Sequence, residues 1–169
     1  SLAANNDGTI DPSYKYAWSE RIGWINFGAT NANVHVTDTK LTGYAWSANY
    51  GWINLQPDGA GVNNNGNGVL SGYAWGEQLG YISFAGVTID GSGDFHGYGS
   101  GTVTGQISFN CLNTNSCGSG DFKTKTDWRP ANSRGGGGAG GQNYTTPQQP
   151  ASPTSGSTNN LLPNSSSSA

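Results

Sequence analysis

One segment occurs three times in nearly the same form, and this tandem repetition constrains the fold more than any other feature of the chain. Copies that begin Tyr-Ala-Trp and continue to Gly-Trp-Ile or Gly-Tyr-Ile start at Tyr16, Tyr44 and Tyr73, at offsets of 28 and 29 residues. A degenerate fourth copy over residues 97–109 keeps its glycines and an Ile-Ser-Phe ending but has no tryptophan. A divergent last unit is typical of a repeat that caps an array. The sequence therefore predicts about four tandem units of 25–29 residues, near residues 14–42, 43–71, 72–96 and 97–128.

Each unit has the pattern of a strand, a turn and a second strand. Two runs rich in aromatic and β-branched residues flank a short polar loop, and shorter runs such as residues 34–36 and 87–89 lie between the units. Gly, Asn and Asp follow these runs, as turns require. No segment has the apolar period of a helix. We expect an all-β fold, an antiparallel meander or sandwich of roughly ten or eleven strands.

The hairpin register predicts two different faces. If the loop centred on Asn49 closes symmetrically, Trp46 lies opposite Trp52 and Ala45 lies opposite Ile53. Successive side chains of a strand point to opposite faces, so the aliphatic and the aromatic residues separate. The expected core rows are Ile25, Phe27, Ile53, Leu55, Ile82, Phe84, Ile107 and Phe109. The opposite face is expected to carry Tyr16, Trp18, Trp24, Tyr44, Trp46, Trp52, Tyr73, Trp75 and Tyr81.

Two interpretations of this aromatic face stay open. Regularly repeated aromatic residues are first of all a means for identical units to pack on each other, and this interpretation is favoured. Alternatively, the Trp and Tyr rings form a platform on which sugar rings stack, with neighbouring Asn side chains binding hydroxyl groups.

The cysteines indicate the compartment. Cys111 and Cys117 are six residues apart in a polar loop, which favours a local disulfide. A zinc site is disfavoured because the histidines, His35 and His96, lie in separate repeats. The chain has no methionine, even at position 1, which predicts that a secretory signal peptide has been removed. We expect an extracellular or cell-surface protein.

Other functional classes find little support. The net charge of −3 argues against nucleic acid and anionic membranes as partners, and no apolar run is long enough for membrane insertion. The acidic residues stand singly in turns with no nucleophile and base pair, so we expect no enzyme and no cofactor. Asp90 and Asp94 are weak calcium candidates. A plain hairpin turn is favoured, because Phe95 stands where a calcium loop needs Gly.

Composition divides the chain into a short N-terminal extension (1–13), the repeat domain (14–131) and a Gly-, Ser-, Thr-, Pro- and Asn-rich tail (132–169). We expect the tail to be extended and non-regular, and to dock through Leu161 and Leu162 on the sheet edge of a neighbouring subunit. The competing account is a glycosylated tail, with sequons at Asn143 and Asn164.

The repeat resembles the tryptophan-rich Tyr-Ala-Trp-Ser…Gly-Trp-Ile-Ser/Asn-Phe tandem repeats of predicted surface proteins in uncultivated, small-genome bacteria. The resemblance covers about residues 14–128, including the cysteine segment, and implies location and architecture but no activity. Together with the tail it predicts a structural subunit of an extracellular filament, sheath or surface layer, a homopolymer that assembles through sheet edges and the docked tail. The alternative is a cell-surface adhesin or carbohydrate-binding module that binds surface glycans through the Trp and Tyr rows.

Overall fold

The computed structural model describes residues 6–134, which form fourteen strands and two short 3-10 helices. The helices are Cys111–Thr114 and Ala131–Ser133. The strands are β1 (Asp7–Gly8), β2 (Ile10–Ser19), β3 (Gly23–Asn26), β4 (His35–Thr37), β5 (Leu41–Thr42), β6 (Tyr44–Ser47), β7 (Gly51–Asn54), β8 (Val62–Asn64), β9 (Leu70–Gly76), β10 (Gly80–Ser83), β11 (Val87–Ile89), β12 (Phe95–Gly101), β13 (Gly105–Ser108) and β14 (Thr124–Thr126).

Eight of these strands close into a barrel. The hairpins β2–β3, β6–β7, β9–β10 and β12–β13 pair side by side in that order, and β13 then pairs with β2, all antiparallel. Each hairpin comes from one copy of the sequence motif. The predicted antiparallel all-β fold is confirmed. The sheet covers its apolar face by curling on itself and needs no second sheet to pack against.

The predicted hairpin register is also confirmed. Trp46 pairs with Trp52, Ala45 with Ile53, and Ser47 with Gly51 at the end of the turn. Turn residues 48–50 therefore form a three-residue loop, closed by a glycine with a φ of 82° that L side chains rarely adopt.

The barrel interior contains the predicted core rows. All eight predicted aliphatic and aromatic core positions are at most 3% exposed. Phe109 lies near the centre, with its ring centroid 5.4 Å from Phe27, 5.5 Å from Phe84 and 5.8 Å from Phe95. Three of these phenylalanines come from the ends of different hairpins, so the core connects the repeats to one another.

A second tier of short strands lies below the barrel. β4 pairs with β5, β8 with β9, β11 with β12, and β14 with β2. Trp128 is fully buried in this tier and donates a hydrogen bond from Nε1 to Asp38 Oδ1 at 2.9 Å. Its central position was not predicted. The other large apolar residues buried in this tier are Val36, Leu41, Val62, Leu70, Val87, Ile89 and Phe95.

The two ends of the domain meet. In β14, Thr124 pairs with Lys15 and Thr126 with Ile10, and the Thr126 hydroxyl donates to the Thr9 carbonyl at 2.8 Å. β1 also pairs with β4. The segment expected to be an N-terminal extension thus includes β1, which pairs with β4, and the start of β2, which pairs with β14.

Glycine allows the chain to bend between the two tiers. Gly72 has a φ of 83°, and a Cβ atom there would overlap the carbonyl oxygen of Gly61. That carbonyl accepts a hydrogen bond from the Tyr73 amide at 2.9 Å. Gly43 and Gly97, in the adjacent hairpins, also have a positive φ and a backbone carbonyl where a Cβ atom would lie.

Candidate functional site

The aromatic residues lie on the outside of the barrel. In the second hairpin, the Trp52 ring meets Trp46 at 4.9 Å and Tyr44 at 6.0 Å, both edge to face. The first hairpin has corresponding distances of 4.7 and 5.9 Å, and the third has 4.8 and 5.8 Å. Except for the half-buried Trp18, the nine predicted side chains are 37–53% exposed.

These ring contacts stay within one hairpin. Among residues 6–134, no outer aromatic ring of one hairpin contacts an outer ring of the next. The favoured interpretation, in which the aromatic rows pack the repeats on each other, therefore gains no support from ring contacts within residues 6–134 and stays a prediction. The buried aliphatic and phenylalanine residues join the repeats.

Strand pairing arranges the outward residues into rows that run from one hairpin to the next. We define the second row by residues that lie opposite one another in succession, namely Tyr44, Asn54, Trp75 and Tyr81. The first row is its equivalent, namely Tyr16, Asn26, Trp46 and Trp52. Both rows have the order Tyr, Asn, Trp and a further aromatic residue, so the barrel presents the same chemical pattern twice.

The remaining two rows are altered. The third has only one aromatic residue, and it consists of Tyr73, Ser83, Ser100 and Gln106. The fourth keeps its aromatic residues, and it consists of Tyr98, Ser108, Trp18 and Trp24. The loop that follows β13 covers part of it, since Phe122 packs on Trp24 at 5.2 Å and Asn113 donates to the Ser108 hydroxyl at 2.9 Å, while Trp24 stays 48% exposed. Of the four rows, only the first and second have the full order of Tyr, Asn, Trp and a further aromatic residue and lie outside this loop.

A disulfide holds this covering loop. Cys111 and Cys117 are bonded, as the sequence predicted, with their Cα atoms 4.9 Å apart. Asn110 anchors the loop by donating to the Phe95 carbonyl at 2.9 Å. An oxygen of Asp121 lies within 4.8 Å of both sulfur atoms, but bonded sulfurs offer no thiolate for a metal ion.

An open groove of about 600 Å³ lies over the second row. Asn54 lines the groove, and its Oδ1 accepts a hydrogen bond from the backbone amide of Gln56 at 2.9 Å. This bond orients the side-chain amide of Asn54 so that Nδ2 points away from Gln56. Among the described residues, none hydrogen-bonds to that nitrogen. The full lining is Gly43, Tyr44, Asn54, Gln56, Pro57, Asp58, Trp75 and Tyr81. The groove therefore combines aromatic walls with amide and carboxylate groups.

The first row lacks the corresponding rim. Its Asn26 is held in the same way, with Oδ1 accepting from the Gly28 amide at 2.8 Å. The segment that follows is Gly28-Ala29-Thr30, whereas the second row is followed by Gln56-Pro57-Asp58. The carboxylate is thus specific to the second row. Sequence reasoning missed this groove, because Asn54 and Trp75 belong to different repeats and become neighbours only through the pairing of β7 with β9.

The weak calcium candidates form the favoured hairpin turn. Asp90 Oδ1 accepts from the amides of Ser92 at 2.8 Å and Asp94 at 3.0 Å, while Oδ2 lies 2.7 Å from His96 Nε2. Burial raises the pKa of Asp90, but the contacts with His96 and the two amides outweigh it and leave the pKa below its usual value. The Asp94 carboxylate meets the ammonium groups of Lys123 and Lys125, each at 3.0 Å. These carboxylates are already occupied by protein groups.

Burial lowers the pKa of Lys123, but the hydrogen bond and charge of Asp94 outweigh it and raise the pKa above its usual value. The ion pairs of Lys123 and Lys125 with Asp94 link β14 to the turn before β12. The remaining predicted sites, Leu161, Leu162, Asn143 and Asn164, lie outside the described residues.

Comparison of the chain with models of protein families, with curated proteins and with solved structures finds no match. Within residues 6–134 no helix is long and apolar enough to cross a membrane. The disulfide is consistent with an extracellular protein.

Proposed function

We propose that this protein is an extracellular carbohydrate-binding module that retains glycans on the two open aromatic rows of its barrel. The observation that carries the proposal is the duplicated order Tyr, Asn, Trp and a further aromatic residue on an outer surface that the core does not need. This was the alternative function predicted from the sequence, and the position of the aromatic side chains now favours it.

The chemistry of the rows suits sugars. A pyranose ring has apolar C–H faces and a rim of hydroxyl groups, so it is matched by flat aromatic rings beside fixed hydrogen-bonding groups. Asn26 and Asn54 stand between the aromatic residues of their rows, each with its carbonyl oxygen already bonded and its Nδ2 group directed away from that bond. The aromatic rings provide apolar contact area, and the Asn side-chain amides provide hydrogen bonds that orient the sugar hydroxyls.

The exposure of these rings supports a binding role. Large aromatic side chains grouped on the surface of a soluble protein commonly mark an interaction site. The edge-to-face contacts hold each ring in place before a ligand arrives, as for Trp52 between Trp46 and Tyr44. Pre-ordered rings lose little conformational freedom on binding. Two rows on one barrel also allow a long glycan to bind at two points, which raises its apparent affinity.

Affinity electrophoresis in gels that contain soluble polysaccharides tests the proposal. We expect the full chain to migrate more slowly in gels with at least one glycan, and the double variant Trp46→Ala/Trp75→Ala to lose this retardation. Leu112→Ala is the matched control, because Leu112 is 60% exposed and belongs to neither row. Unchanged retardation of the double variant would refute the proposal.

The filament subunit predicted from the sequence remains a second hypothesis. Every strand of the barrel ring has both neighbours within the chain, so this ring gives edge pairing no support. Assembly would then depend on the tail, residues 132–169. Electron microscopy of the full chain and of a chain without that tail separates the two cases: filaments that disappear on truncation favour the subunit, and monomers in both samples exclude it.

A further inference from the structure

We propose that the groove over the second row is the principal glycan site, and that it selects neutral sugars over sugars that carry a carboxylate. This inference rests on the proposed carbohydrate binding. It goes further by naming one site, one ligand class and the residue that discriminates.

The groove is the place where aromatic and polar groups converge. Tyr44 stands on one side, and Trp75 and Tyr81 stand on the other, with their rings 4.8 Å apart and edge to face. Asn54 lies between the two sides, opposite Tyr44 on one neighbouring strand and Trp75 on the other. A sugar ring in the groove meets an aromatic face and an amide donor together.

The rim adds acceptor groups in fixed positions. Pro57 is buried, and its carbonyl accepts the amide of Ala60 at 3.1 Å, which holds the turn between β7 and β8. Gln56 and Asp58 flank this anchored residue and are exposed. Their side chains therefore extend from a held backbone toward the groove that they line.

The charge of the groove determines the ligand class. Its lining contains the carboxylate of Asp58 and no Lys, Arg or His. A carboxylate accepts two sugar hydroxyls well, as charge-assisted hydrogen bonds. It repels the carboxylate of a uronic acid, and nothing in the lining compensates that charge. The groove therefore favours neutral hexose chains.

The first row provides an internal comparison. It has the same order of aromatic and Asn residues but no carboxylate in the segment after its strand. Lys15 Nζ lies 5.7 Å from the centroid of the Tyr16 ring in this row, so a cation stands beside the first row where the second row has a carboxylate. The first row is therefore expected to stack sugars without the bias against carboxylates that Asp58 gives the second row. A substitution in the second row should therefore weaken the binding of neutral sugars more than the equivalent substitution in the first row.

Affinity electrophoresis of the full chain measures this directly, with hydroxyethylcellulose, mannan and xyloglucan as neutral probes and alginate and polygalacturonate as acidic ones. We expect Trp75→Ala to weaken binding of the retained neutral probe at least about tenfold, and Trp46→Ala to weaken it by less. We expect Asp58→Asn to weaken neutral binding, because the charge-assisted hydrogen bonds to sugar hydroxyls are lost, and to reduce the preference for neutral over acidic probes about tenfold, because the repulsion of uronic acids is lost as well. Thermal unfolding of each variant checks that the fold is intact.

The outcomes separate the two proposals. If the wild-type chain is retained by none of these probes, the proposed function fails and this inference fails with it. If the wild-type chain is retained but Trp46→Ala weakens binding as much as Trp75→Ala, or Asp58→Asn leaves the preference unchanged, only the selective groove is refuted. A Trp75→Ala variant that unfolds leaves Asp58→Asn to decide.

Discussion

Ile107 lies opposite Ser19 on the adjacent strand, and this pairing joins the last strand of the barrel to the first. The two residues are 88 positions apart in the chain, so the join forms only when the ends of the domain meet. The same part of the chain is held a second time, because β14 pairs with the start of β2 and Trp128, two residues after β14, is fully buried.

Truncation of Trp128 should therefore destabilise the domain strongly. Its side chain is 0% exposed, so Trp128→Ala leaves a large cavity and removes the hydrogen bond from Nε1 to Asp38. We expect a loss of about 3–5 kcal/mol in the free energy of unfolding, measured by urea denaturation. Trp52→Ala is the control, because Trp52 is 43% exposed and should cost far less. Equal losses would contradict the burial described here.

Two glycines with almost the same φ should respond differently to substitution. Gly51 has a φ of 82° and faces open space, so Gly51→Ala should cost about 1 kcal/mol through backbone strain. Gly72 has a φ of 83°, and a methyl group there overlaps the Gly61 carbonyl. We expect Gly72→Ala to cost about 3 kcal/mol or more. Urea midpoints of the two variants give the comparison, and similar values would show that the bend tolerates a side chain.

Acid should weaken the turn before β12. The pKa of Asp90 is lowered in the folded state, so its charged form stabilises the fold above the ordinary pKa of 3.8, and this contribution is lost as the pH falls through the lower folded value. Asp90→Asn should therefore lose stability at pH 7 and show a smaller further loss between about pH 5 and pH 2. Because the Asp90 side chain is 40% exposed, the difference should be about 1 kcal/mol or less. Chemical denaturation across this pH range tests it, and parallel curves for the two proteins would refute it.

The disulfide should be intact in protein purified without reductant. Thiol counting under denaturation should find no free thiol from Cys111 or Cys117, whereas two free thiols would remove the main support for an extracellular location.

Replacing both cysteines by alanine should lower the free energy of unfolding by about 2 kcal/mol, because the bond closes a short loop. The tryptophan fluorescence of the protein should also change, since Phe122, in the segment after that loop, packs on Trp24. Leu112→Ala, in the same loop, should leave both measurements unchanged.

The sequence predicted the features that depend on near neighbours. The pairing of Trp46 with Trp52 follows from loop length and from the alternation of side chains along a strand, and the burial of Ile53 follows from the same rule. The link between Cys111 and Cys117 is equally local. Each of these predictions depends on the structure of a single hairpin or a single loop.

The features that were missed depend on distant parts of the chain. Ring closure requires the summed twist and tilt of eight strands, which no single repeat encodes. Trp128 stands in the sequence between Asp127 and Arg129, so no local apolar pattern predicts its full burial. The groove exists because Asn54 meets Trp75 across two repeats. The resemblance to repetitive surface proteins stays a prediction.

Closure also restricts how such a protein can change in evolution. An open array of repeats can gain or lose a unit at its ends, because each unit contacts only its neighbours. In this ring the first hairpin is a neighbour of the last, so adding or deleting a hairpin would alter the circumference and the fit of every core residue. Single outer residues carry no such restriction. We therefore expect the number of hairpins to stay constant while their outer faces diverge, so that the barrel is a fixed frame whose outer residues can change one row at a time.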